Sequence, residues 1–299
     1  MDAKFHPAIL AIKSGDLEGL KALLDQDPSL ATAHSSKSHP TLLQCLALEA
    51  LDVPNKVEMA KLLIDGGADF NGALGAAACI DNVEITALLL DYGAEINGLG
   101  SWSPLEEALY WNNRRVIDLL LDRGASVHNL RMASALGRLD LMESFFNSDG
   151  TLKPEAGQID WPFGEVENSN MNCNIKDELQ AKESKWSNNP QEVIDNAFVY
   201  ACMHNQIDAA SLLLEKGAQV DAIPPGFDYS GTGLHYAAFN GHRSMVDYLI
   251  QRGANPNVTD TKVNSTPAGW AKHNGHQELG DYLDQLAANA HQSKEASGA

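Results

Sequence analysis

Residues 228–258 read DYSGTGLHYAAFNGHRSMVDYLIQRGANPNV. A short alanine-bearing segment stops at Asn240-Gly241-His242, an apolar segment follows, and Gly253-Ala254 opens a polar run. Glycine just past an apolar helix end is the residue that closes a helix in the left-handed conformation. The stretch therefore reads as helix, tight turn, helix, loop. Its glycines and histidines are either a local chemical site or one copy of a repeating design, and the rest of the chain decides which.

The design recurs. LLIDGGADFN (62–71), LLLDYGAEIN (88–97), LLLDRGASVH (119–128), LLLEKGAQVD (212–221) and YLIQRGANPN (248–257) each run from an apolar helix end through Gly-Ala into a polar turn. Upstream of each lies a shorter segment with small residues such as Ala77, Ala78, Ala133, Ala201, Ala237 and Ala238, which let neighbouring helices approach closely. Aligned on the turn between the two helices, the register positions are Gly15, Asn55, Asp81, Asn112, Gly137, Asn205, Gly241 and Gly275. The spacings of 40, 26, 31, 25, 68, 36 and 34 residues scatter about a period of roughly 33, the mark of a solenoid array. Spacings of 25 and 26 predict truncated connections, and the 40 predicts a longer helix or loop near LLQCLALEALDVPNKVEMAKLL.

On these residues the chain resembles the ankyrin-repeat family. Residues 228–258 follow its D-x-x-G-x-T-P-L-H-x-A-A-x-x-G-H pattern, with Gly233 in place of the usual proline. The unit at 260–283 keeps Thr266, Pro267, Gly275 and His276 but has one extra loop residue, and Gly269 in place of histidine. The unit at 103–125 is a third copy, with Glu106 at the histidine position. The resemblance implies an all-α solenoid of about eight helix-turn-helix repeats with short β-hairpin or irregular loops. The organisation expected is N-terminal repeats over 1–147 (five, the first a cap ending at Asp27-Pro28), an insertion over 148–191, three C-terminal repeats over 192–286 and a flexible tail over 287–299. The insertion lacks the repeat signals and offers one candidate helix near 175–186.

Charge and cysteine content narrow the function classes. The 299 residues carry 21 Lys and Arg against 40 Asp and Glu, a net charge of −19, which repels nucleic-acid phosphate and anionic lipid. No run approaches a membrane span, and the amphipathic N-terminus is not that of a signal peptide. Cys45, Cys79, Cys173 and Cys202 stand far apart without a C-x-x-C pair, as reduced thiols do. A cytoplasmic, monomeric chain is expected, binding a protein partner with a neutral or basic surface.

The candidate chemistry is weaker than the repeat. His204, His235, His242, His273 and His276 cluster late in the chain, but the resemblance gives His235 a loop-backbone hydrogen bond and His242 and His276 the turn. Glu106, Glu107, Asp228 and Asp260 could supply acid–base pairs if burial split their pKa values; Asp228 and Asp260 match the family's loop aspartate. The fragment Gly231-Thr232-Gly233 lacks the strand and third glycine of a nucleotide loop. No catalytic, cofactor or metal residues are expected.

The resemblance also implies which positions the repeat leaves free. In an ankyrin unit the residue before the paired alanines and the two after them face the concave groove. These are Glu107, Tyr110 and Trp111; Tyr200, Met203 and His204; Tyr236, Phe239 and Asn240; Trp270, His273 and Asn274. Such aromatic area suits a partner-binding stripe, with Trp102, Phe227 and Tyr229 flanking it. The competing expectation is that some of these aromatics pack under loops or the insertion. Trp161, Phe163 and Trp186 of the insertion could fill part of the groove, and a rival function is a small-molecule or hydrolytic site where Trp161 and Phe163 converge with Asp228 and His273.

Overall fold

A computed structural model describes residues 3–35, 41–99, 102–157 and 187–297, the last of these by backbone alone beyond residue 289. The described residues form two compact units, one reaching to Ser126 and one starting at Val127.

The first unit contains four helical hairpins: α1 (His6–Ser14) with α2 (Leu17–Gln26), α3 (Leu42–Glu49) with α4 (Lys56–Asp65), α5 (Asn71–Cys79) with α6 (Val83–Asp91), and α7 (Pro104–Tyr110) with α8 (Arg114–Asp122). The second contains α9 (Leu130–Ala135) with α10 (Leu139–Ser144), α11 (Pro190–Met203) with α12 (Ile207–Glu215), α13 (Gly233–Phe239) with α14 (Arg243–Gln251), and α15 (Pro267–His273) with α16 (Gln277–Ser297). Within each unit the first helices of successive hairpins pack on one another, α1 on α3 on α5 on α7 and α9 on α11 on α13 on α15. The expected all-α repeat fold is present. Among the described residues the connections are irregular, with one isolated bridge between Phe146 and Leu152.

The turn register follows from backbone conformation. Each of the eight aligned residues has positive φ, from 55° at Asn112 to 84° at Gly275. Asn and Asp visit this region at modest cost and glycine at none. At Gly241 crowding adds to conformation, because a Cβ there would fall 2.6 Å from Cε1 of His276. The residue after the register position then bonds backward across the stack. Asn82 Nδ2 donates to the Ala47 carbonyl at 3.1 Å, Asn113 Nδ2 to Ala78 at 2.7 Å, and His242 Nε2 to Met203 at 2.9 Å.

The loops are tied by a second repeating bond. Asn71 Oδ1 accepts from the Glu95 backbone N–H at 2.8 Å, Asn97 from Ser126 at 2.8 Å, and Asp221 from Asn255 at 3.0 Å. Each acceptor closes one Gly-Ala turn and each donor follows the next Gly-Ala, so the bond is written into the repeat. The connections vary in length as the spacings require: 66–70 and 123–129 are short, whereas 216–232 and 252–266 are long fingers. The Pro28–Ala31 3-10 turn and a widened turn at 50–55 take up part of the 40-residue spacing.

Three boundaries differ from the sequence reading. The fifth hairpin groups with the second unit, because α9 packs directly on α11 and Ser134 Oγ donates to the Ala197 carbonyl at 2.7 Å. The helices on either side of the inserted segment thus share one repeat interface. Helix α11 already begins at Pro190, capped by Asn189, so regular structure resumes before residue 191. The stretch expected to fray after residue 286 continues as the last turns of α16, to Ser297. The helix expected at 175–186, and Trp161, Phe163, Cys173 and Trp186, lie outside the described residues.

Candidate functional site

In the first unit the groove-position residues meet at the C-terminal end of α7. A Ser103–Glu106 capping box starts this helix, with the Ser103 N–H donating to Glu106 at 3.0 Å and the Glu106 N–H to Ser103 Oγ at 3.1 Å. Glu106 is buried there as a helix cap. The next residue, Glu107, is 6% exposed and accepts two indole hydrogens, from Trp102 Nε1 at 2.7 Å and Trp111 Nε1 at 2.8 Å. The Tyr110 ring, itself buried, stands edge-on to Trp111 at 5.1 Å and to Trp102 at 6.2 Å. Trp111 keeps 42% of its surface exposed. Beside this group, burial first and then the Glu107 carboxylate push the Cys79 thiol up to about 12, so it is inert at neutral pH.

In the second unit the corresponding residues are mostly roofed by the fingers. Phe227, expected at a loop tip, is fully buried, with its ring 5.3 Å from Tyr200 and 5.0 Å from Tyr236. Tyr236 stacks edge-on against Trp270 at 5.1 Å, and its hydroxyl donates to the Tyr229 carbonyl. Trp270 Nε1 donates to Asp260 Oδ2 at 3.0 Å. Asp260 also accepts backbone hydrogens from Lys262 at 2.8 Å, Val263 at 2.7 Å and Ser265 at 2.9 Å. Burial alone would raise its pKa, but these donors outweigh it and hold the carboxyl at about 2. Asp260 is therefore the hub of a finger rather than a proton donor.

His235 works beside it. Its Nδ1 accepts from the Thr232 backbone N–H at 3.1 Å and meets the Thr232 hydroxyl at 2.9 Å. The ring hydrogen is thereby left on Nε2, which donates to the Ser265 carbonyl at 3.1 Å. Only the neutral ring satisfies both sides, and burial pushes its pKa down to about 4, against the opposing pull of Ser265 and Asp260.

The groove positions thus divide. Glu107, Tyr110, Tyr200, Met203, His204, Tyr236 and Trp270 are buried, so the exposure expected of them is corrected: neighbouring aromatics pack on Glu107, Tyr110, Tyr200, Tyr236 and Trp270. Trp111 and His273 are exposed, and Phe239 and Asn240 half-buried. Phe239 touches Trp270 at a ring distance of 6.0 Å. Tyr229, at 49% exposed, is the most open described aromatic of the second unit and carries Lys262 Nζ 4.2 Å above its ring. The sequence signal for Trp102 as the second donor to Glu107 was its place five residues before that acid. Among the described residues no three His, Cys, Asp or Glu side chains gather as metal ligands, and no described helix is long and apolar enough to cross a membrane.

Comparison with known proteins agrees with the repeat. The family model described as ankyrin repeats, in three copies, matches residues 46–131 and 167–260. Palmitoyltransferase Hip14 of Drosophila melanogaster is 36% identical over 81 residues, covering 27% of this chain and 12% of that protein. Human palmitoyltransferase ZDHHC17 is 41% identical over 61 residues, 20% of this chain and 9% of its own length. The probable E3 ubiquitin-protein ligase XBOS34 of Oryza sativa subsp. japonica is 44% identical over 54 residues, 18% of this chain and 10% of its own. The matched stretches span about a tenth of these relatives.

Proposed function

Because the chain belongs to the ankyrin-repeat family, whose repeats generally mediate protein–protein interaction, we propose that it is a binding module without catalysis of its own. A partner protein with a neutral or basic surface docks on the ends of the first helices. In the first unit the contact centres on Trp111. In the second it uses Phe239, Asn240 and His273 with Tyr229, while the buried Tyr200, Tyr236 and Trp270 hold that surface from beneath.

One observation carries this reading: Trp111 has its indole N–H fixed by Glu107 and still presents 42% of its surface outward. Repeat stacking does not require such a residue, and rigid, partly exposed aromatics are what binding hot spots are made of. Acid–base catalysis has less support, since Glu106 and Asp260 are spent on a helix cap and a finger. A cytoplasmic, monomeric existence is part of the same proposal, supported by the single, unbridged Cys45, Cys79 and Cys202.

Affinity capture from the native cell with the full chain tests it. Proteins retained by the natural sequence should be lost from Trp111→Ala or Phe239→Ala variants whose helical content is unchanged. Capture that ignores both substitutions would overturn the reading.

A further inference from the structure

We propose that the exposed face of Trp111 seats a cationic side chain, an arginine or lysine on a basic segment of the partner. This deepens the interaction reading above and rests on it. An aromatic ring attracts cations to its face through its quadrupole, and indole does so best. Trp111 gives its N–H to a carboxylate, Glu107 Oε1 at 2.8 Å. That hydrogen bond pushes electron density into the ring and strengthens the negative potential of its face. The carboxylate sits 6% exposed, where its charge is less screened than on the surface.

The arrangement is also rigid. Glu107 is fixed from its other oxygen by Trp102 Nε1 at 2.7 Å, and Tyr110 abuts the Trp111 ring at 5.1 Å. A cation arriving there pays little to order the site. Arg115 on α8 is engaged with Asp81 at 2.8 Å and Arg123, just past that helix, with Asp91 at 2.9 Å, and Arg114 opens α8 on the surface. The chain as a whole carries 40 acidic against 21 basic residues, so a basic segment is steered toward it. Net charge draws such a segment in, and Trp111 supplies a place for one side chain.

The test is a titration of the full chain, at 0.15 M salt, a solution condition near the physiological Debye regime. The probe is a short acetylated and amidated peptide with arginines among glycines, set beside its citrulline counterpart of the same shape and no charge. The readout is the indole N–H resonance that disappears in Trp111→Leu. The arginine peptide should move this resonance saturably and the citrulline peptide should not. Trp111→Leu should weaken the arginine peptide about fivefold, and Trp111→Phe, which keeps a smaller ring, should recover part of that loss. Equal behaviour of the two peptides, or an affinity that Trp111→Leu leaves unchanged, overturns the proposal. If a cellular partner still depends on Trp111 in that case, the interaction reading survives and only the cation is discarded. If that dependence is also missing, both fall.

Discussion

Tyr236 on α13 and Trp111, just past the end of α7, occupy different groove positions of their repeats, before the paired small residues and second after them, and one is interior while the other is surface. Tyr236 is 9% exposed and Trp111 is 42% exposed. Part of the difference is register, since Glu107, which aligns with Tyr236, is buried too, and part lies in the connections. Finger 216–232 sends Phe227 between Tyr200 and Tyr236 and its Tyr229 carbonyl onto the Tyr236 hydroxyl, while finger 252–266 puts Asp260 on Trp270. Before α7, Trp102 bonds to Glu107 and Trp111 stays 42% exposed, and the connection after α8 is the short 123–129. Register position and the path of the connections together decide whether a groove residue is core or contact surface.

The comparison breaks most visibly at Phe227. A fully buried phenylalanine wedged between two tyrosines loses its transfer energy and leaves a cavity when truncated, so Phe227→Ala should destabilise the second unit by about 3–5 kcal/mol. Chemical unfolding followed by the fluorescence of Trp270 measures it. A cost below about 1 kcal/mol would mean that the finger is a loose cover and that Tyr200 and Tyr236 are available to a partner after all.

A middle-sized effect should appear with acid. His235 has a folded pKa of about 4 against about 6.5 when unfolded. Between these values the unfolded chain binds the proton and the folded one does not, so stability falls as pH falls through that window. The loss should reach about 2 kcal/mol by pH 4.5. Asp260, held at about 2, releases its contribution only below the ordinary carboxylate range near pH 4. Denaturant midpoints at pH 7 and pH 4.5 should therefore separate for the natural chain and draw together for His235→Gln, which carries no titrating group. Parallel shifts in both chains would remove His235 from the account.

How much of this was legible beforehand follows from what each feature depends on. The eight register positions were readable because a left-handed turn restricts residue type locally, whatever the tertiary context. His235 was readable for the same reason, as its partners Thr232 and Ser265 belong to the repeating finger. Burial of Tyr200, Met203, His204 and Tyr236 was not. In register Tyr200 and Tyr236 align with the buried Glu107 and Met203 with the buried Tyr110, while His204 aligns with the exposed Trp111, and residue type alone does not separate the buried from the exposed. Phe227 shows the limit most clearly: in sequence it stands in a polar loop after Pro224-Pro225-Gly226, with no periodicity to say that the loop folds inward. The grouping of the fifth hairpin with the second unit was equally hidden, since a 68-residue gap in register says nothing about whether the chain returns to the interface it left.

The smallest stability effect is expected at Trp111, and its smallness is the point. Trp111→Leu removes a half-exposed ring and one of the two indole hydrogens given to Glu107, whose other oxygen keeps the Trp102 bond at 2.7 Å. Half-exposed apolar area contributes little, and the remaining charge-assisted bond limits the cost of the lost donor. The first unit should lose less than about 1 kcal/mol, measured as a denaturant midpoint beside that of Phe227→Ala. A small loss together with impaired partner capture identifies an aromatic kept for contact, whereas a loss as large as that of Phe227→Ala would make Trp111 part of the fold and erase the contrast with Tyr236. Because the stability change and the binding change are read on the same variant, a merely unfolded protein cannot imitate the expected result.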